Sequence, residues 1–200
     1  ARGHVLVYDA GPKYSPDFDA GHRVLLPLLQ SRGDHRIDTL VLSHSDMDHV
    51  GGAATLLQGL PIGELTGSIE GLHPLRVDAQ RRGVSQRRCA AGQRWEWDGV
   101  RFEMLHPAAD DDTHALRPNT LSCVLRVQGA AASALLTGDI ERDQEIRLLR
   151  KHRCRGAGRR DGQGPDRLGS LGAPCDGDGF TGRVVAADAD HLRLPIRPPL

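Results

Sequence analysis

The stretch from Thr39 to Gly52, TLVLSHSDMDHVGG, decides the fold of this chain. Its opening is apolar and rich in β-forming residues, which predicts a buried strand. Four potential metal ligands then follow within six residues, namely His44, Asp46, Asp48 and His49. Imidazole and carboxylate groups together favour Zn²⁺, Mn²⁺ or iron over Ca²⁺, which prefers oxygen ligands alone. The sequence therefore predicts a metal site at the point where a buried strand ends.

The spacing of these ligands suits two ions. His44 and Asp46 are two residues apart, so an extended or turning backbone directs both at one point. Asp48 and His49 are adjacent and must diverge, which suits a second ion a few ångströms away. The two glycines that follow let the backbone approach closely where a helix begins. The alternative is a polar helix N-terminus with incidental histidines, which so dense a set disfavours.

Two other predicted strands end in an acidic residue. Asp139 follows the apolar run Ser133 to Thr137, and its carboxylate is a candidate bridge between two ions. Asp9 follows the run His4 to Tyr8 and either orients a ligand or serves only its turn. We expect Leu40, Val41 and Leu42 to be buried, with Leu135 and Leu136 in the neighbouring strand.

Strands and helices alternate through residues 1–152. Helices are expected over Ala20 to Gln30, despite Pro27, and over Ile140 to Lys151, where acids come first and bases last. Trp95 to Leu105 predicts a hairpin that turns at Asp98-Gly99. From residue 153 the chain is rich in Gly, Arg, Pro and Asp without periodicity. We therefore expect one domain over 1–152 and a tail over 153–200 that is disordered or translated out of frame.

Composition limits the partners of the chain. The formal net charge is zero, so any contact with nucleic acid must be local. Arg81, Arg82, Arg87 and Arg88 form a basic cluster, which contacts phosphates or is merely solvated. No apolar run approaches the roughly 20 residues of a membrane helix. The chain begins at Ala1 without a signal peptide, so we expect a fragment with no transmembrane span.

The four cysteines lie far apart and form no Cys-x-x-Cys pair. We therefore expect four unrelated thiols, neither a zinc knuckle nor a disulfide framework.

The motif HSDMDHVGG resembles the HxHxDHxGG signature of the metallo-β-lactamase superfamily, with Asp46 in place of the second His. Three further strings, VLVYDAGP, PNTLSCVLRV and LLTGDIE, narrow the resemblance to the soluble domain of ComEC-type competence proteins, which are bacterial DNA-uptake channels. The resemblance covers roughly residues 3–152. It implies an α/β fold, the αββα sandwich of the superfamily, incomplete here at both ends.

The resemblance also implies a site that holds two divalent ions, Zn or Mn. His44 and Asp46 would hold one ion, Asp48 and His49 the other, and Asp139 would bridge them. The candidate catalytic residues are Asp48 and Asn119. Candidates for orienting ligands or contacting substrate are Asp9, His106 and Ser122. Asn119 either contacts a phosphate or only caps the start of a strand, and His106 is a structural residue as often as a site residue.

The chain departs from the family in two places. The family has an opening strand and a DVGQG-like turn before the segment that matches Arg2. It also has a His-His-Gly-Ser motif after the helix that ends near Arg150, which supplies the last ligand. Here that stretch is RCRGAGRRDGQGPDRLGS, and His191 does not match the missing motif.

Three functions follow from these observations. The first is a metal-dependent nuclease that acts on DNA during uptake, with single-stranded DNA and the membrane channel of a parent protein as partners. That parent would lie in the bacterial inner membrane. The second is a small-molecule hydrolase that cleaves a thioester or a lactam. The third is a non-catalytic remnant of the domain.

Overall fold

The computed structural model describes residues 3–109, 111 and 117–152, together with the backbone of one strand at Val185–Ala187. The strands are β1 (Leu6–Tyr8), β2 (Lys13–Ser15), β3 (Phe18–Asp19), β4 (Ile37–Leu42), β5 (Ile62–Gly67), β6 (Ser85–Arg88), β7 (Arg94–Trp97), β8 (Val100–His106), β9 (Val124–Gln128), β10 (Ser133–Leu136) and β11 (Val185–Ala187). The helices are α1 (Leu26–Ser31), α2 (Met47–Val50), α3 (Ala53–Gly59), α4 (Pro74–Arg81) and α5 (Arg142–Lys151).

The strands form two stacked sheets. The first has the order β1-β4-β5-β6 and is parallel throughout. The second has the order β11-β10-β9-β8-β7, antiparallel from β7 to β10. β2 and β3 form a separate two-stranded hairpin.

Burial patterns show how the layers stack. Leu40 and Leu42 of β4 belong to a core cluster that includes the buried residues of α1, α3 and α4. Val41, between them in sequence, packs instead with residues of the second sheet such as Met104 and Leu125. Leu148 of α5 packs on the other side of that second sheet. Because a strand alternates its side chains between two faces, β4 joins a helical layer to the opposite sheet, as in an αββα sandwich.

The expected strand core is partly confirmed. Leu40, Val41 and Leu42 are fully buried, and full burial stabilises each by about 1.5–3 kcal/mol. Leu135 and Leu136 are also buried, but the expectation that they lie in the strand next to β4 is wrong. They lie in β10, which follows β9 through a tight turn closed by the Gly129 N–H on the Ala132 carbonyl at 2.9 Å. Short turns favour antiparallel pairing, so β10 joins the second sheet.

Of two local predictions, the first is confirmed and the second needs a correction. The hairpin with its turn at Asp98-Gly99 is confirmed, and both residues have positive φ, at 52° and 76°. The helix expected over Ala20 to Gln30 is divided into a π-helical segment, Gly21–Leu25, and α1. Pro27 lies in the first turn of α1, next to the junction with the π-helical segment.

Two further predictions concerned the tail after residue 152 and membrane-spanning segments. The proposed tail lies outside the described residues, except for β11, whose backbone pairs in parallel with β10. Within the described part of the chain, no helix combines the length and the apolarity that crossing a bilayer requires.

Candidate metal centre

Four chain segments meet at one edge of the sandwich. Asp9 follows β1, and the Ser43–His49 loop follows β4, so both lie at the carboxyl ends of adjacent parallel strands. From the second sheet come Ser122, just before β9, and Asp139, just after β10. The carboxyl edge of a parallel sheet is where α/β proteins place their ligand sites.

Two buried histidines form the floor of this edge. His44 and His49 are almost fully buried, and their ring centroids are 4.1 Å apart. The Nε2 atom of His49 is 3.3 Å from Oδ1 of Asp139. The Nε2 atom of His44 is buried and has no hydrogen-bond partner. A buried polar atom without a partner is rare and costly in a folded protein, unless it serves a ligand.

One group of possible ligand atoms stands out among the described residues. Atoms of His44, His49 and Asp139 all lie within 4.8 Å of one another. Asp46 approaches Nε2 of His44 at 3.6 Å, and Asp48 approaches Nε2 of His49 at 3.7 Å. Both of these aspartates are partly open to solvent. Three carboxylates thus face two imidazole nitrogens, a donor set that fits Zn²⁺, Mn²⁺ or iron.

A one-turn helix brings the two histidines together. Asp46 is extended, with φ −70° and ψ 146°, and it stands before the first residue of α2. Its carbonyl accepts the backbone N–H groups of His49 and Val50, each at 3.0 Å. The chain therefore turns back sharply after His44, and the two rings come into contact.

Asp9 holds the ring of His49. Its Oδ2 atom lies 2.8 Å from Nδ1 of His49, and its Oδ1 atom accepts the Ser43 N–H at 2.7 Å. When Nδ1 donates its proton to this carboxylate, the lone pair of Nε2 points to the open side of the site. Asp9 has a φ of 59°, a left-handed conformation that Asp tolerates better than most residues.

Ser43 contacts Asp9 and both histidines. The sequence analysis did not identify this serine as a site residue. Its hydroxyl donates to Oδ2 of Asp9 at 2.8 Å and lies 2.9 Å from Nδ1 of His44. The hydroxyl has one proton, which goes to Asp9, so His44 donates from Nδ1 and leaves Nε2 as an acceptor. A small polar residue between a buried strand and the first ligand was the available signal.

The second sheet reaches the site through Ser122 and Gly138. The Ser122 hydroxyl accepts the Asp139 N–H at 3.2 Å and lies 3.4 Å from Nδ1 of His44. Gly138 has a φ of 53°, and a Cβ there would lie 2.8 Å from Cβ of Ser43. Glycine is therefore needed for the two sheets to approach this closely.

The carboxylates give the site a negative electrostatic potential, which acts on the pKa values of the two histidines. Burial, followed by the neighbouring His49, lowers the pKa of His44. Burial also acts to lower the pKa of His49, but the hydrogen bond to Asp9 and the charges of Asp9, Asp139 and Asp48 outweigh it, raising the pKa to about 9. The carboxylates thus create a potential that favours a positive charge at this imidazole, which a metal cation would also experience.

His106 and Asn119 contact Ser122 at the border of this cluster. The buried His106 donates from Nδ1 to the Ser122 carbonyl at 2.9 Å. Asn119 opens a 3₁₀ turn, and its carbonyl accepts the Ser122 N–H at 3.0 Å. Both therefore support Ser122, and neither belongs to the close group of ligand atoms found among the described residues.

A disulfide corrects the expectation of four unrelated thiols. Cys89 and Cys123 are both fully buried and are bonded to each other, with their Cα atoms 5.9 Å apart. Cys89 follows β6 and Cys123 precedes β9, so the bond joins the two sheets. Spacing along the chain cannot reveal a pairing that depends on how sheets stack. Cys154 and Cys175 lie outside the described residues.

Comparison with known proteins identifies the family of this chain. The family model of the metallo-beta-lactamase superfamily matches residues 1–171. Competence protein ComA of Neisseria gonorrhoeae is 36% identical over 163 residues, which cover 74% of this chain and 21% of that protein. Recombination protein 2 of Haemophilus influenzae is 35% identical over 144 residues, 72% of this chain and 16% of that protein. These relatives confirm the resemblance to competence proteins.

Among solved structures, the metallo-beta-lactamase fold protein YhfI of Bacillus subtilis matches with a TM-score of 0.45 and 17% identity, covering 73% of this chain and 55% of that one. The chain spans about a fifth of the length of the two curated relatives. Members of the matched superfamily bind divalent metal, and the histidines and carboxylates found here fit that donor set. This chain belongs to the metallo-β-lactamase superfamily.

Proposed function

We propose that this domain is a metal-dependent phosphodiesterase that cleaves DNA during its uptake by a competence protein. The observation that carries the proposal is the pair of buried Nε2 atoms, of His44 and His49, that face the carboxylates of Asp46, Asp48 and Asp139. The unpartnered Nε2 of His44 argues for a cation, since a buried acceptor without a donor is otherwise a pure cost.

Each side chain then has a role. His44 and Asp46 would hold one ion, Asp48 and His49 would hold the other, and Asp139 would supply a further carboxylate. Divalent cations at such a site lower the pKa of a water molecule and neutralise charge on phosphoryl oxygens. Asp48, whose side chain is 68% exposed, would besides holding an ion accept a proton from water on the open side.

The surrounding residues orient these groups. Asp9 and Ser43 fix the tautomers of the two histidines, and Ser122 positions the backbone of Asp139. His106 and the Asn119 carbonyl hold Ser122 in turn. The side-chain amide of Asn119 is the proposed contact to a substrate phosphate.

DNA and the membrane channel of a longer parent protein are the proposed partners, and the bacterial inner membrane is the proposed location of that parent. The support is that the relatives are named for competence and recombination and are much longer than this chain.

The present chain should have little or no nuclease activity. It contains no His-His-Gly-Ser sequence, so the last family ligand is absent. Loss of a residue that merely orients a ligand typically costs about 10–100-fold in metal affinity or activity, and loss of a ligand itself should cost more. The missing motif also favours the third function considered from the sequence, a non-catalytic remnant that keeps part of a metal site.

Two measurements test the proposal. Calorimetric titration with Mn²⁺ or Zn²⁺ should show binding that is abolished in Asp48→Ala and in His49→Ala. Release of labelled nucleotides from single-stranded DNA should be weak here, but strong and chelator-sensitive in a chain that carries an in-frame His-His-Gly-Ser motif. Unchanged metal binding in both variants would refute the ligand assignment. Cleavage of a lactam or thioester without nuclease activity would instead identify a small-molecule hydrolase.

A further inference from the structure

A short hairpin beside the metal centre exposes two aromatic rings. Tyr14 on β2 is 67% exposed and Phe18 on β3 is 39% exposed. Their ring centroids are 5.4 Å apart and their planes are tilted by 59°. Neighbouring aromatic rings that stay in solvent are available to stack on the rings of a ligand.

Cationic side chains accompany these rings. The guanidinium of Arg23 lies 4.8 Å from the centroid of the Phe18 ring. Lys13, at the start of β2, is exposed as well. Asp17 is the exposed acid of the hairpin, whereas Asp19 is buried and accepts hydrogen bonds from the Thr55 hydroxyl and the His22 N–H. The outer surface therefore combines an exposed Tyr14 ring, a Phe18 ring with Arg23 over one face, and a small excess of positive charge.

The hairpin is fixed to the metal-binding loop. A Cβ at Gly51 would lie 2.2 Å from the backbone nitrogen of Lys13, so the turn after His49 packs directly on the start of β2. The Gly52 N–H also donates to the Gly11 carbonyl at 3.1 Å. Met47, which is 57% exposed, lies on α2 between Asp46 and Asp48 and extends the apolar surface toward the candidate ligands.

We propose that this hairpin is a platform for single-stranded DNA, on which Tyr14 and Phe18 stack bases while Lys13 and Arg23 hold phosphates. The inference rests on the proposed function and names the residues that would deliver the strand to the metal centre. Stacking on aromatic rings beside cationic groups is how single strands are bound without sequence preference. A duplex keeps its bases stacked internally and offers the rings nothing comparable.

The basic cluster on α4 and β6 is a weaker candidate for the same role. Arg82 pairs with Asp78 at 3.0 Å, and Arg87 pairs with Glu64 at 3.0 Å. Part of that positive charge is therefore neutralised within the domain. The hairpin also has the stacking surfaces, and it contacts the metal-binding loop directly.

Binding of a labelled single-stranded oligothymidylate, followed by fluorescence anisotropy with a chelator present, tests the proposal without cleavage. Tyr14→Ala and Phe18→Ala should each weaken binding by about 5- to 150-fold, which is the usual effect of removing one stacked ring. Tyr14→Trp should retain binding, because it keeps an aromatic face. Leu149→Ala removes an apolar side chain that is 45% exposed on α5 and should leave binding unchanged.

Salt dependence separates the stacking residues from the cations. Lys13→Ala and Arg23→Ala should each reduce the slope of log K against log salt by about 0.7, the value for one phosphate contact on a single strand. Tyr14→Ala should lower affinity with the slope unchanged. Arg101→Ala, which removes an exposed cation on β8, is the matched control and should alter neither quantity.

The unfolding midpoint of each variant in urea shows that its fold is retained. Three results would overturn the proposal. The first is that the unaltered chain, Tyr14→Ala and Phe18→Ala bind the single strand equally well. The others are that the unaltered chain does not bind the single strand at all, or binds a blunt duplex with the same affinity. Those results would leave metal binding and cleavage untouched. Conversely, a chain with the complete motif could bind DNA through the hairpin and yet show no metal-dependent cleavage. That result would refute the phosphodiesterase function and leave the proposal of a DNA-binding hairpin intact.

Discussion

At the scale of single residues, the site depends on which nitrogen of each histidine has the proton. Asp9 binds Nδ1 of His49, and Ser43 binds Nδ1 of His44, so in the neutral form of each ring Nε2 is the acceptor. The candidate ligands were predictable from sequence because they crowd into one motif. Ser43 was not, since a serine after a strand has many ordinary uses, and only the contact distances reveal its role.

Asp9→Asn should weaken Mn²⁺ or Zn²⁺ binding by about 10–100-fold, the usual cost of losing a partner that orients a ligand. Asn adopts the left-handed backbone of Asp9 readily, so the turn should survive. The amide lacks the charge that holds the Nδ1 proton of His49. Calorimetric titration measures the change, with Asp143→Asn on the exposed face of α5 as control. Equal affinity in Asp9→Asn would show that Asp9 serves only its turn.

At the scale of elements, the second sheet contains a charged ladder on its helix-facing side. Glu103 of β8 lies opposite Arg94 of β7 and Arg126 of β9. It accepts two hydrogen bonds from Arg94, at 2.6 and 2.9 Å, and is also paired with Arg126. Burial acts to raise the pKa of Glu103, but the two arginines outweigh it and lower that pKa below its usual value.

The depressed pKa fixes the sign of a pH effect. A carboxyl group whose pKa is lower in the folded state stabilises the fold above its unfolded pKa, near 4.5, and the stabilisation is lost as the pH falls through the folded pKa. Glu103→Gln should therefore lower the free energy of unfolding at pH 7 by about 0.5–2 kcal/mol, as expected for two cross-strand ion pairs. Urea unfolding at pH 7 and at pH 3 measures it. A gap of the same size at both values would contradict the electrostatic explanation.

At the scale of the whole molecule, sequence patterns predicted elements better than their arrangement. The apolar run of β4 and the turn at Asp98-Gly99 are local, so both were predicted correctly. The assignment of Leu135 to a strand beside β4 failed because apolar strands of both sheets look alike in sequence. The approach of Asp139 to His49 was expected because both residues follow predicted strands, although the strand before Asp139 belongs to the other sheet. The Cys89–Cys123 bond depends on how the two sheets stack, which no local pattern contains.

That bond gives the last prediction, which concerns the stability of the sandwich. It joins residues 34 positions apart, and closing a loop of that length in the unfolded chain stabilises the fold by about 3–4 kcal/mol. Cys89→Ser/Cys123→Ser should lose about this amount in urea unfolding, and a reductant should destabilise the unaltered chain similarly. The double variant should not respond to reductant, which controls for other effects of the reagent. A chain equally stable with and without reductant would mean that packing between Val41 and Met104, rather than the cross-link, holds the sheets together.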